Sequence, residues 1–573
     1  MRSLDFGVGA AMALVATAWM AGCGGSVAGG EAIADPALAV GTETSAACRS
    51  GLKHSSLSEI AGAPRYILWN ATIVTMNEAQ PVAEALLVEG NAIAAVGSNH
   101  GILAMADEAT PVVDLGRRTV VPGFLDPHTH LFDDAVGQGL TFDQAQQLAL
   151  ESGTTAVSDM FARPAITQEL LTYASGGNLR LRLHLYLPYN NTCGTVVWGQ
   201  WYERFPPKAM MAPRMTMGGV KVFVEPSVCS GAHVKPVFSE ALLASFTPDG
   251  LAAWGNNALL LSREELKGVV KHAHDLGYQV AIHAIGDVGI ETSLDAIEAV
   301  LKDAGDSTNE RRHMILHNWF LRDDLLPRYA QSGILAVVEP ATRCRAEFFL
   351  GYVGWQNGAL FSRWQDLFRS GARVSVDGDW PYGSIDPMAK LSALVTGRYG
   401  TCSPSWDLQT IRVWEGLRSI TTEAAYAMGR EDEVGSLGVG KLADLVVLSA
   451  NPLEVRPEQI EGVQALVTIV DGKVEFARDS DGDRVPDVED HCPNSDLRDV
   501  VVVGTCDTGV KNRLVGGGCS IADRIENCRS TARHHGAFVS CVAHVTTGLT
   551  KAGAITGREH GAIQRCSARS ALH

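Results

Sequence analysis

Two hydrophobic periodicities divide the chain. From Tyr66 onward, short apolar stretches such as Ile67-Leu68-Trp69, Thr72-Ile73-Val74-Thr75, Ala85-Leu86-Leu87-Val88 and Ile93-Ala94-Ala95-Val96 are broken by turn residues such as Glu89-Gly90-Asn91. Runs of that length with such punctuation predict strands. A matching set returns in Ala443–Leu448 and Val467–Val474. The two groups, 63–118 and 430–478, predict one small composite β-sandwich. Between them, over 119–429, strand-like runs end near His130, Asp159, Leu187, Lys221, His283, His317, Glu339 and Asp379. They alternate with stretches of helical spacing such as Arg263–Leu276 and Ile290–Ala304. About eight β/α units over about 300 residues predict an α/β fold, a (β/α)8 TIM-like barrel whose strand C-termini form the mouth of a site.

One kind of polar residue collects at those strand ends. The first run reads Val120-Val121-Pro122-Gly123-Phe124-Leu125-Asp126-Pro127-His128-Thr129-His130. Side chains i and i+2 of a strand leave the same face, so His128 and His130 can hold one ion together. Downstream stand His283, His317 and Asp379, each closing an apolar run, and Lys221, within Gly219-Val220-Lys221-Val222-Phe223. An isolated His-x-His is a common chance pairing, and a lone core histidine is usually satisfied by hydrogen bonds. Convergence at one barrel mouth instead predicts a metal centre. Lys221 also fits an edge position, with its stem buried and its amine in water. His272 and His274 lie in a helical stretch and are expected to face solvent, and His313 and Arg312 carry no assignment.

This donor set suits hydrolysis. Water is a poor nucleophile for an amide at neutral pH. A bound Zn²⁺ lowers its pKa to about 7, and two ions about 3.5–4 Å apart can hold one hydroxide and polarise the carbonyl. Imidazole-rich donors favour zinc, with iron, nickel or manganese compatible.

The pieces Pro122–His130, His283-Ala284-Ile285-Gly286-Asp287, Asp379-Trp380-Pro381 and Gly435–Leu448 resemble, in that order, the amidohydrolase superfamily and within it amidohydrolase family 3. The resemblance spans roughly 65–478. It implies His128 and His130 on one metal, His283 and His317 on a second, Lys221 bridging as a carbamate, and Asp379 as metal ligand and proton shuttle. It implies hydrolysis of a C–N bond in a small amide, formamide or cyclic amide. One departure is local. Family members read Lys-x-Phe-x-Asp-Gly, and here Lys221-Val222-Phe223-Val224-Glu225-Pro226 places Glu225 on the predicted strand face of Lys221 as a rival bridging carboxylate. An alternative is a mononuclear deaminase, although such enzymes place Glu three residues after the fifth-strand histidine and Gly286 stands there. A second alternative is an inactive surface-display or binding protein.

Composition narrows the partners. The 573 residues carry 47 Lys+Arg against 64 Asp+Glu, a net charge of −17, without a basic cluster. That argues against nucleic acid and leaves a small-molecule substrate, the oligomeric state being open. At the N-terminus, Arg2, an apolar Val8–Met20 and Met20-Ala21-Gly22-Cys23 resemble a lipoprotein signal over 1–23, with Cys23 as lipid anchor. A Gly/Ala/Ser/Thr-rich stretch over 24–62 predicts a tether. An exported, outer-membrane lipoprotein is expected, otherwise a periplasmic or secreted one. Twelve cysteines suit that oxidising compartment.

The remaining segment is distinct. Asp479, Asp481, Asp483, Asp487 and Asp490 crowd around Gly482 before Cys492. Such closely spaced carboxylates repel unless a hard cation sits among them, and Ca²⁺ accepts six to eight oxygens. A solvated acidic linker is the other reading. The run resembles a thrombospondin type 3 calcium repeat over 479–506, which implies Cys492 in a disulfide with Cys506 as partner. Over 507–573, Ile521–Ala532 and Ala537–Leu549 predict a small disulfide-rich helical tail; its six cysteines from Cys492 on allow 15 pairings.

Overall fold

Strands buried on both faces must be apolar without alternation, and eight such strands form the centre of the molecule. The computed structural model describes residues 55–227, 235–255, 257–400 and 409–570. The expected signal segment, Cys23 and most of the tether lie outside these residues. The eight strands are Phe124–Thr129, Thr154–Asp159, Arg182–Pro188, Met215–Phe223, Gln279–Ala284, Met314–His317, Leu335–Val338 and Val374–Val376. Consecutive strands pair in parallel in that order. Every strand residue except Gly218 is buried. Helices such as Phe142–Glu151, Pro164–Ser175, Arg263–Asp275 and Asp287–Ala304 alternate with them, as in a TIM-like barrel. The third strand is followed instead by a 3₁₀ segment, Gly199–Arg204, and a short antiparallel strand, Met210–Ala212, that flanks the fourth.

No ladder is recorded between the eighth and first strands; side chains and loop amides join them. Asp126 accepts hydrogen bonds from His128 N at 3.2 Å, Gly378 N at 3.0 Å and Lys390 Nζ at 2.7 Å. Asp379 N donates to His128 O at 3.1 Å, and His130 N donates to Trp380 O at 2.9 Å. This seam carries three of the candidate site residues.

Two further sheets share one apolar core. A four-stranded sheet contains Arg65–Trp69 and Ala85–Glu89, and a six-stranded sheet contains Leu445–Leu448, Ala465–Val470 and Thr119–Pro122. Tyr66, Leu68 and Val88 of the first meet Val120, Val447 and Val467 of the second. The apolar run that begins at Thr119 therefore divides. Thr119–Pro122 pairs with Leu445–Leu448 in this outer sheet, and the barrel starts only at Phe124. Gly123 sits at the division because a Cβ there would lie 2.2 Å from Thr155 Oγ1. The tether expected up to residue 62 already contains a short helix, Leu57–Ile60, whose two apolar residues enter the same core.

The C-terminal region contains a hairpin of Val500–Val503 with Cys506–Lys511 and three helices, Ile521–Thr531, His535–Lys551 and Gly557–Arg569. The last helix and the hairpin were not expected. The expected Cys492–Cys506 bridge is corrected. Cys492 joins Cys519, Cys506 joins Cys566 and Cys528 joins Cys541. The hairpin carries Cys506 against the last helix instead of toward the acidic loop.

His274 departs from its expected solvent-facing position, and His313, which carried no assignment, is its partner. Both are buried, and His313 Nε2 meets His274 Nδ1 at 3.0 Å. Val280 N donates to His313 Nδ1 at 3.0 Å, so that nitrogen carries no proton, His313 Nε2–H is the donor and His274 Nδ1 accepts. A proton on either acceptor nitrogen breaks the chain. Burial accordingly pulls His313 down to about 3 and lowers His274. Below about pH 6.5 the unfolded His313 takes up a proton that the folded one refuses, so stability falls as pH drops toward 3, by about 1.4 kcal/mol per pH unit. His313→Gln, which keeps one acceptor and one donor, is expected to reduce this slope between pH 6.5 and 4.5 in urea titrations; an unchanged slope contradicts the assignment.

Candidate active site

The C-terminal strand ends open into a cavity of about 760 Å³ lined by His128, His130, Lys221, His283, His317 and Asp379. All six sequence-selected residues therefore meet. His128, His317 and Asp379 each offer a ligand atom, all within 4.8 Å of one another. His130 Nε2 lies 3.5 Å from Asp379 Oδ1, and the His283 ring centroid lies 4.4 Å from that of His317. Lys221 Nζ sits 5.0 Å from the Phe223 ring centroid, fully inside the barrel at 1% exposure.

Several of these donor atoms have no partner. His128 Nε2, His283 Nε2, His317 Nδ1 and Asp379 Oδ1 are buried and lack a hydrogen bond. Buried polar atoms are nearly always satisfied, so lone pairs converging on one space fit a cation. Burial lowers the pKa of all four histidines and keeps the imidazoles neutral, as ligation requires. His317 and Asp379 also adopt left-handed backbone, with φ of 74° and 42°. Such conformations cost on the order of 1–3 kcal/mol and persist where surrounding structure imposes them.

Outer carboxylates orient the imidazoles. His128 Nδ1 meets Asp377 Oδ2 at 2.6 Å, and His130 Nδ1 meets Asp133 Oδ1 at 3.0 Å. Each contact turns the opposite nitrogen, Nε2, toward the cavity, the arrangement that fixes ligand tautomers in metal sites. Burial raises Asp379 to about 6, against the opposing pull of His130 and Lys221. It lowers Lys221 to about 7, against Asp379, Asp377 and Asp133.

Glu339 is a donor that sequence reasoning passed over. Both its oxygens are buried without a hydrogen bond, and Oε2 lies 3.6 Å from His317 Nδ1. Its signal was present: it closes the apolar run Leu335–Val338 as His317 closes its own. Glu225 is corrected in the other direction. The fourth strand ends at Phe223, so alternation cannot be extended to Glu225. Its carboxylate accepts from the backbone amides of Val237, Ile285 and Gly286 and holds loops together outside the metal-facing cavity. Tyr382 lines the cavity, whereas Trp380 packs against the barrel core.

In the acidic loop, Asp479, Asp481 and Asp483 bring oxygens within 4.8 Å of one another. Asp483 is 4% exposed and its Oδ2 has no partner. Asp487 accepts from Ser480 N at 2.8 Å and Ser480 Oγ at 2.7 Å, and Asp490 accepts from Cys492 N at 2.6 Å. No helix among the described residues is long and apolar enough to cross a membrane.

Known proteins share this organisation. A model of the amidohydrolase family matches residues 212–476. The chain is 28% identical over 348 residues to the protein LONG AFTER FAR-RED 3 of Arabidopsis thaliana, covering 58% of this chain and 56% of that one. It is 28% identical over 230 residues to an N-substituted formamide deformylase of Arthrobacter pascens, covering 38% and 40%. It is 28% identical over 397 residues to an imidazolonepropionase of Symbiobacterium thermophilum, covering 64% and 83%. The chain thus spans about half the length of the first two relatives. An uncharacterized metal-dependent hydrolase of Pyrococcus furiosus superposes with a TM-score of 0.56 at 18% identity, covering 68% of this chain and 100% of its own, which shows the shared fold. Residues 212–476 are thus similar to the amidohydrolase family, and the parallel barrel has the fold of a solved metal-dependent hydrolase.

Proposed function

We propose that the chain hydrolyses a C–N bond of a small amide, formamide or cyclic amide. The observation that carries this reading is the set of unpartnered buried lone pairs on His128, His283, His317 and Asp379 around Lys221. His128 and His130 would hold one divalent ion, and His283 and His317, with Glu339 beside them, a second. Bound there, zinc supplies Lewis acidity and lowers the pKa of water.

The chain's own groups do the rest. Asp379, poised near pH 6 by burial, accepts a proton from the attacking water and returns it to the departing nitrogen. Lys221, near 7, is substantially a free amine at neutral pH. Its lone pair can attack carbon dioxide, forming an N–C bond as one C=O π pair moves to oxygen and one N–H proton is lost, and the resulting carbamate would replace a repelled cation by an anion that could ligate metal. Asp377 and Asp133 keep His128 and His130 aimed into the cavity. The formamide deformylase and the imidazolonepropionase are named for C–N substrates, and that supports an amide or cyclic amide here. A transition-metal chelator is expected to abolish hydrolysis of responsive amides, and added zinc to restore it; hydrolysis that survives complete metal removal contradicts the reading.

Asp479, Asp481 and Asp483 would hold calcium, supported by the unpartnered Asp483 Oδ2. Calcium is expected to raise the melting temperature of the chain by several degrees, and Asp483→Asn to remove that response; an equal response in the variant contradicts the site. Three disulfides in the C-terminal region support an exported protein, and Cys23 would carry its lipid.

A further inference from the structure

His130 is held by a turn and not by the barrel ladder. The first strand ends at Thr129, whose ladder partner is Asp159, so the backbone of His130 lies beyond the strand pairing. Contacts from outside the ladder place it. Its N–H donates to Trp380 O at 2.9 Å, and its Nδ1 meets Asp133 Oδ1 at 3.0 Å. Asp133 stands in the turn that follows the strand, and that turn closes on His130 itself, because Asp134 N donates to His130 O at 3.1 Å. The Asp133 carboxylate can aim the imidazole only while the turn keeps its shape.

The second strand fixes that shape. Asp159 closes the strand Thr154–Asp159. Its Oδ2 accepts from Phe132 N at 2.7 Å and from Asp133 N at 3.1 Å. Phe132, Asp133 and Asp159 are all buried, and an amide left without an acceptor at such a place is costly. One oxygen taking two successive amides pins the backbone from which Asp133 projects. Asp159 itself stays outside the cavity lining, so its effect on the site is indirect. His128 is supported differently. It lies within the first strand, and its orienting carboxylate, Asp377, follows the eighth strand Val374–Val376. Asp159 therefore bears on one of the two imidazoles and not on the other.

Resting on the metal centre of the proposed function, we infer that Asp159 is a positioning residue for metal binding: through the Phe132 and Asp133 amides it holds Asp133 against His130 and keeps His130 Nε2 turned into the cavity. An imidazole without its carboxylate partner can rotate and present either nitrogen, and such supporting contacts are typically worth about 10- to 100-fold in metal affinity.

A double-mutant cycle on zinc affinity, measured by competition with a chromophoric chelator, tests this. Asp159→Ala is expected to weaken zinc binding by about 10- to 100-fold. Asp159→Asn, which keeps a carbonyl oxygen for both amides, is expected to recover most of that loss. In a His130→Ala background, Asp159→Ala is expected to cause no further loss, because it acts through that imidazole. A residue that only stabilises the fold would subtract the same factor in both backgrounds. Should the alanine protein not fold, Asp159→Glu repeats the cycle, since it keeps the charge and displaces the accepting oxygen by one methylene. Unchanged zinc affinity in Asp159→Ala, an equal further loss without His130, or no recovery in Asp159→Asn overturns the inference. Zinc binding and amide hydrolysis by the unsubstituted chain, with additive losses in the cycle, overturn this inference alone; an unsubstituted chain that binds no zinc overturns the metal centre and the inference with it.

Discussion

Asp379→Asn is expected to lower kcat by about 10²–10⁴, the usual contribution of a positioned proton-transfer group, while the protein still binds metal. The substitution isolates the proton because little else changes. Asp379 has φ of 42°, a conformation that Asn tolerates better than most residues. The amide oxygen of Asn can occupy the position of Oδ1, 3.3 Å from His128 Nε2 and 3.5 Å from His130 Nε2, and can remain a neutral donor to an ion. It cannot accept and release a proton near pH 6 as the buried carboxyl does. Single-turnover kinetics with parallel metal analysis separate the two roles. Near-normal turnover, or loss of activity that follows loss of metal in proportion, contradicts the shuttle assignment.

The largest structural effect is expected at Lys390. Its ammonium lies 2.7 Å from Asp126 Oδ2, and the two side chains are 2% and 0% exposed. Burial raises the Asp126 carboxyl, and Lys390 acts against that rise. Lys390→Met keeps most of the volume but leaves Asp126 without its cation, and breaking one side of a buried pair costs about 3–5 kcal/mol. The damage is not only global. Asp126 also receives Gly378 N, which joins the first strand to the turn carrying Asp379, and His128 N within its own strand. Metal affinity is therefore expected to fall together with the urea midpoint. A loss below about 1 kcal/mol with unchanged metal binding would show that the seam is held by other contacts.

The barrel was legible because its strands are buried on both faces and read as continuous apolar runs, so the polar residue closing each run stands out. His283 after Val280-Ala281-Ile282 and His317 after Met314-Ile315-Leu316 are examples. His128 and His130 were selected by strand alternation, although His130 stands just past the strand end at Thr129; the same rule failed at Glu225, two residues past Phe223. Glu339, Asp377 and Asp133 were not assigned because their roles depend on which side chain faces them across the barrel, and spacing along the chain does not contain that. His274 was misassigned for a similar reason. A helical position beside charged residues suggests solvent, yet His313 from a distant loop covers it. The cysteine pairing was hidden because the hairpin Val500–Val503/Cys506–Lys511 reverses the chain and carries Cys506 to Cys566.

The central claim is that His128, His130, His283 and His317 converge on divalent metal with Lys221 between them. Anomalous diffraction from crystals of the active holoprotein, collected on both sides of the zinc edge, tests it most directly. The account predicts anomalous density within coordination distance of all four imidazoles and additional density bonded to Lys221 Nζ. Crystals of protein that hydrolyses an amide, yet show no anomalous peak beside any of these histidines, would contradict it.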